Sequence, residues 1–388
     1  MSRRVLPLVI VPLITVIGLC IARGQTTPPP AGRGAQPGAA PAKDAGGAFP
    51  AVASRAAVML YTPKWTGERS ADGRPVVSEA LLKRARNVSI VQAWSELNSA
   101  GYKSNYTTGD GWKVMYPDQV IIGRVLTAQY LPTNPDVNAA ILQQGRADGR
   151  IGNSNSWPID MLQKGDVYVA DGCGKIVDGT LIGDNLGNSI FANSGNGVIF
   201  DAGVRDWEGL QDIKGFNAWV KGIHPSYLTN MMLTGINVPI HIGDAVATPG
   251  DIVIAKPEGI VFIPPHLLEG VVANAERTLL RDLFGHQRLQ EKKYTPGQID
   301  SGWSAEINAD FRSWLQANID KLPVPREAVE ATLNAPAGGR GGAGGAGGAG
   351  GAGGGAGGGA GGGAGRGGAG GAGRGAGGAA GGAGRGGQ

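Results

Sequence analysis

The chain has 388 residues, 41% hydrophobic and 17% charged, with a formal net charge of +4 from 35 basic and 31 acidic residues. Both ends lack acids and hold seven of the basic residues, so residues 25–335 carry 28 basic against 31 acidic groups. That core has no electrostatic footprint for nucleic acid, and two cysteines in the whole sequence exclude a disulfide framework and a thiolate metal site.

Residues 1–24 place Arg3 and Arg4 before an apolar run from Val5 to Ala22, closed by Ala22-Arg23-Gly24. This is the layout of a secretory signal peptide, and it predicts export to the periplasm or the medium. The run is nearly long enough to span a bilayer, so an uncleaved membrane anchor is the alternative. Cys20 lacks the small residue expected just before a lipidated cysteine. Residues 25–54 are rich in Pro, Ala and Gly and read as a disordered linker. Residues 336–388 are almost only Gly and Ala, with sparse Arg340, Arg366, Arg374 and Arg385 and no aromatic residue between them. They read as a disordered tail that binds no nucleic acid. The folded part is then residues 55–330, one α/β domain with helical N- and C-terminal extensions.

Within it, residues 77–100 carry apolar positions at helical spacing (Ala80, Leu81, Ala85, then Val91, Ala93, Trp94, Leu97), which predicts two helices stopped by Gly101. β-rich runs follow at 119–131 and 166–172. A helix entered at Asp184 would turn Leu186, Ile190 and Phe191 inward, and GVIFDAG and NAWVKG read as strands. Residues 238–265 read as a series of strands with Gly-Asp and Glu-Gly turns, and Pro265 to Glu291 as a long helix. Short mixed strands under two or three helices predict a layered α/β domain without regular βαβ units. Residues 294–320 are too rich in Trp and Phe for a linker and should pack on the core or on another subunit.

VYVADGCGK at 167–175 superficially resembles a nucleotide-binding glycine turn, but Gly179 and Gly183 break the helix such a site needs. His224, His241, His266 and His286 make no pair at metal-ligand spacing, no G-x-S-x-G elbow occurs, and Cys173 reads as a small packed residue. That leaves residues 181–208, LIGDNLGNSIFANSGNGVIFDAGVRDWE. Asp184 stands at a helix N-terminus, where the N–H groups of Asn185 and Leu186 could receive a carboxylate. Arg205 and Asp206 end the following strand, so the two edges can face one pocket. Two readings stand: a structural salt bridge with a helix cap, or a site for a hard divalent cation and an anionic substrate whose carboxylate Arg205 binds.

GDN (183–185), DAGVRD (201–206), INVPI (236–240), PGDIVIA (249–255) and EGIVFIPP (258–265) resemble the family of the regulator of ribonuclease activity A and the class II 4-hydroxy-4-methyl-2-oxoglutarate aldolases. The resemblance covers about residues 75–320. It includes the block RDLFGHQRLQEKKYTPGQID (281–300), typical of long members often mislabelled dimethylmenaquinone methyltransferases. It implies a β/β/α swivelling-type domain that assembles as a homotrimer or hexamer, with active sites between subunits. It also implies Mg²⁺ (or Mn²⁺) on Asp206, with Asp184 holding metal-bound water and Arg205 against a small 2-oxo acid. The N–H groups of Asn185 and Leu186 would receive the acid's carboxylate. A third carboxylate from a neighbour's C-terminal helix would be Asp282, with Glu276 as the rival. The implied activity is cleavage of a 4-hydroxy-2-oxo acid to pyruvate, with oxaloacetate decarboxylation beside it. A non-catalytic binding or regulatory role on the same fold is the alternative.

Overall fold

The computed structural model describes residues 51–335. The N-terminal segment, the linker up to residue 50 and the Gly/Ala tail lie outside the described residues. The last linker residues are held: Val52 bridges Ile236 in parallel, and the Ala53 N–H donates to the Ile236 carbonyl at 2.9 Å.

Serines open the first three helices, because a hydroxyl can accept from an N–H that the helix leaves free. α1 (Arg55–Tyr61), α2 (Glu79–Ala85) and α3 (Ile90–Ser99) are capped by Ser54, Ser78 and Ser89, the last in a full capping box with Gln92. Gly101 stops the run at φ +91°. β1 (Tyr106–Thr108), β2 (Lys113–Val114), β3 (Ile121–Pro132), α4 (Pro135–Ala147), β4 (Asp166–Thr180), α5 (Asp184–Ser194), β5 (Val198–Val204), α6 (Trp207–Gln211) and β6 (Ala218–Ile223) follow. β3, β4, β5 and β6 are neighbours in that order and parallel, so each helix between them is a crossover. This regularity departs from the sequence expectation. α4 carries a weak apolar pattern, with Gly145 its one buried residue, and α6 has five residues, so neither announces itself by periodicity.

The chain continues through β7 (Met231–Ile236), β8 (Ile240–Ile242), β9 (Ala245–Ala247), β10 (Ile252–Lys256) and β11 (Gly259–Ile263) to α7 (Pro265–Gln290), α8 (Pro296–Ile299), α9 (Ala305–Asn318) and α10 (Arg326–Asn334). The main sheet runs β1-β11-β10-β3-β4-β5-β6-β2, with β7 paired to the far end of β3.

Strand alternation sorts side chains into layers. Val125, Val167, Val169, Ile199, Val253 and Phe262 face the small β8–β9 hairpin through Ile240, Ile242 and Ala247. Their neighbours face the helices: Leu126, Tyr168, Ala170 and Phe200 over α5, and Ile254, Val261 and Ile263 over α3 and α7. Hairpin, sheet and helices make the β/β/α stack. In α3, Ile90, Ala93 and Leu97 point inward, whereas Val91 and Trp94 are exposed, against the sequence expectation. Residues 294–320 pack on the C-terminal half of α7, where Phe284, Phe311, Trp314 and Leu315 build a separate small core. No helix among the described residues is long and apolar enough to cross a membrane.

Candidate active site

Residues 181–184 close back on the end of β5. The Leu181 N–H donates to the Gly203 carbonyl at 2.9 Å, and the Arg205 N–H to the Ile182 carbonyl at 3.0 Å. Helix start and strand end therefore lie side by side, as the sequence spacing predicts. Two glycines make the closeness possible. A Cβ on Gly183 would lie 2.3 Å from Asp206 Oδ2 and 3.0 Å from Arg205 Cζ. A Cβ on Gly209 in α6 would lie 2.8 Å from the Asp184 Cβ. The Asp184 carboxylate thus rests on α6, whose N-terminal cap is Asp206, so both carboxylates flank one mouth.

Asp206 sits at φ +52° and ψ +46°, a left-handed conformation that aspartate tolerates because its short side chain can bond locally. Its Oδ2 accepts from Arg205 Nη1 at 2.5 Å. The Arg205 guanidinium also lies over the Tyr227 ring, 4.7 Å from the centroid, so one planar cation is held from two sides. Asp184 Oδ1 accepts from the Asn185 N–H at 2.8 Å. Of the two N–H groups expected to await a carboxylate, Asn185's is therefore occupied by the side chain before it. Leu186 is half-buried and lines the cavity beside Gly183 and Arg205.

That cavity measures about 530 Å³. The β4–α5 turn forms one wall and Tyr227, Thr229 and Met231 another; the third comes from α4 and residues 152–156. Nothing in the sequence marked residues 133–156 as part of a site. Their contribution is neutral polar groups, Asn138, Asn153 and Ser156 among them, with no periodic or charged signature.

The two candidates for a third carboxylate separate. Glu276 is buried and accepts from Arg84 Nε at 2.8 Å and Nη2 at 2.7 Å, a bidentate pair within the chain. Both its oxygens are spent on joining α2 to α7, which removes it as a site residue. Asp282 is exposed on α7 beside Arg281, whose guanidinium lies 3.6 Å from the centre of the Trp303 ring. Among the described residues of one chain, nothing brings Asp282 to Arg205. Cys173 is at the surface, not packed, at φ +55° within β4. Partial burial of the thiol and the Asp171 and Asp201 carboxylates push its pKa up, which makes it a poor nucleophile.

Asp201, within β5, is buried, and its Oδ1 has no hydrogen-bond partner among the described residues. It sits opposite Asp171, with the Lys221 ammonium at 3.9 Å, and burial raises its pKa.

Among the described residues no group of three or more His, Cys, Asp or Glu is placed to hold a metal ion. Asp184 and Asp206 offer hard oxygen donors without nitrogen or sulfur, a set that fits a cation retaining several waters, such as Mg²⁺.

Residues 77–262 match the family model described as RraA-like, Aldolase/RraA. Protein DlpA of Legionella pneumophila is 30% identical over 193 residues, which is 50% of this chain and 29% of DlpA. The chain therefore spans under a third of that relative's length. Among solved structures, an uncharacterized protein from Pseudomonas syringae pv. tomato aligns at a TM-score of 0.47 and 19% identity, over 61% of this chain and 99% of that one. Streptomyces coelicolor RraAS2, described as an unusual member of the RNase ES inhibitor RraA protein family, aligns at 0.43 and 22%, over 57% and 97%.

Proposed function

Residues 77–262 form a domain of the RraA-like, Aldolase/RraA family, and from that premise we propose that this chain is a divalent-metal-dependent lyase that cleaves a 4-hydroxy-2-oxo acid to pyruvate. The observation that carries the proposal is the convergence of Arg205, Asp206 and Asp184 at one mouth, beside a cavity large enough for a small organic acid. The family holds aldolases and non-catalytic inhibitors. An ion-paired arginine stacked on a tyrosine and flanked by two carboxylates is suited to catalysis.

In this reading Asp206, and Asp184 through water, hold Mg²⁺ or Mn²⁺, which supplies a Lewis acid to the 2-oxo group. Arg205 binds the oxygens on which negative charge builds, a contribution of about 3 kcal/mol if it acts like an oxyanion-hole donor. The Leu186 N–H is left to meet the substrate carboxylate. A water held by Asp184 takes the proton of the C4 hydroxyl as the C3–C4 bond breaks. The electron pair passes toward C3, C4 becomes a carbonyl carbon, and a proton returned to C3 gives pyruvate. Oxaloacetate reaches the same product by losing CO₂. Assembly as a homotrimer or hexamer, with Asp282 of the partner subunit closing the site, and export through residues 1–24 belong to the same proposal.

The test is pyruvate release from oxaloacetate with Mg²⁺ and with EDTA. Turnover should require the metal, and Arg205→Met should lower kcat/KM by about 100-fold. Asp206→Ala should abolish turnover while the protein stays folded by circular dichroism. Undiminished turnover in Asp206→Ala refutes the site.

A further inference from the structure

We infer that the substrate's distal end is an uncharged, hydroxylated chain, so that the site takes a sugar-derived 2-oxo-3-deoxy acid in preference to a dicarboxylate. The inference rests on the lyase reading above for the acid head and on the cavity for the tail. Among the described residues that line the cavity, Arg205 is the one charged side chain. It is already shared between Asp206 and the substrate's reacting end. A second carboxylate placed against α4 and residues 152–156 would leave water without a cation to meet it, a cost the binding site has no means to offset.

What the distal wall does offer matches hydroxyl groups. Asn138 and Asn153 each carry two donors and an acceptor, and Thr133 and Thr229 each carry a group that donates and accepts. None of these four side chains has a hydrogen-bond partner among the described residues, except that their own backbone groups take part in turns. Asn155, in contrast, is committed to the Leu181 carbonyl at 2.7 Å and serves as a brace. Leu142, Leu228 and Met231 supply apolar surface for the carbon chain between the polar groups. At about 530 Å³ the cavity has room for more than a three-carbon acid head, and pockets of this size hold ligands larger than pyruvate.

Two ligands without the C4 hydroxyl, and therefore not cleavable, separate the alternatives: 5,6-dihydroxy-2-oxohexanoate and 2-oxoglutarate. Both are titrated calorimetrically into the full chain with Mg²⁺ present. The dihydroxy acid should bind at least about tenfold more tightly. Asn153→Lys and, separately, Thr229→Lys, both exposed positions, should move that preference about tenfold toward 2-oxoglutarate. Equal binding, tighter 2-oxoglutarate binding, or no binding of either ligand overturns the inference. Oxaloacetate decarboxylation reports on the lyase reading alone. Turnover without the tail preference removes only this inference, and the preference without turnover removes only the lyase.

Discussion

At the scale of the residue, the site depends on an absent atom. Gly183 has an ordinary φ of −118°, so backbone freedom does not explain it. Its Cα faces the Arg205–Asp206 pair, and any Cβ there would collide with the Asp206 carboxylate. Gly183→Ala should therefore displace Asp206 by a fraction of an ångström to about one ångström and lower kcat by about 10- to 100-fold. The melting temperature should change by only a few degrees, because one relaxed surface carboxylate costs little. Loss of fold in place of loss of turnover would show that Gly183 serves packing and not the site. The motif G-D-N was visible in the sequence, but its first residue read only as a helix breaker; the reason for it lies 23 positions downstream, in Asp206.

At the scale of the element, α7 serves two bodies. Its first half covers the sheet through Leu268, Val271, Val272 and Ala275. Its second half is the floor of the small C-terminal core, where the Phe284 ring lies 5.3 Å from Trp303, 5.3 Å from Phe311 and 5.8 Å from Trp314. The Arg288–Asp310 pair locks α9 to α7, and its guanidinium holds the Asp310 carboxyl down at about 2. Phe284→Ala should cost about 3–5 kcal/mol, taken from this lobe alone. Hydrogen exchange should quicken in α9 and α10 while β3, β4 and β5 keep their protection. Uniform loss of protection would mean that lobe and sheet unfold as one unit. The aromatic density of residues 294–320 announced a packed segment; that it packs on the second half of α7 was visible only in the structure.

At the scale of the molecule, stability should respond to pH through Asp251. The residue is fully enclosed where β10 begins, with the Thr248 N–H donating to its Oδ2 at 2.8 Å and no cation beside it among the described residues. Burial lifts its carboxyl from 3.8 to about 7. A folded pKa above the unfolded one means that the native state binds the proton more tightly. Its contribution is then fully present below about pH 4 and fades as pH rises through 7. The loss between those limits amounts to about 4 kcal/mol at most. Asp251→Asn keeps the acceptor for Thr248 and has no proton to lose, so denaturant unfolding at pH 4.5 and 7.5 should show a smaller difference than in the parent. An unchanged difference would place the titration elsewhere.

The sequence by itself determined what depends on near neighbours. β-rich runs marked the strands, apolar residues at helical spacing marked the helices, and G-D-N with R-D supplied the site's chemical groups. The tertiary structure decided what depends on distant ones. Arg84 reaches across 192 positions to claim Glu276, which no local pattern could show. The neutral wall of Asn138 and Asn153 has no periodicity to betray it, and becomes part of a cavity only because the crossover through α4 lays it beside Arg205. Pairings of this kind are fixed by where the parallel strands set down their connections, and that is a property of the assembled sheet, not of any stretch of chain.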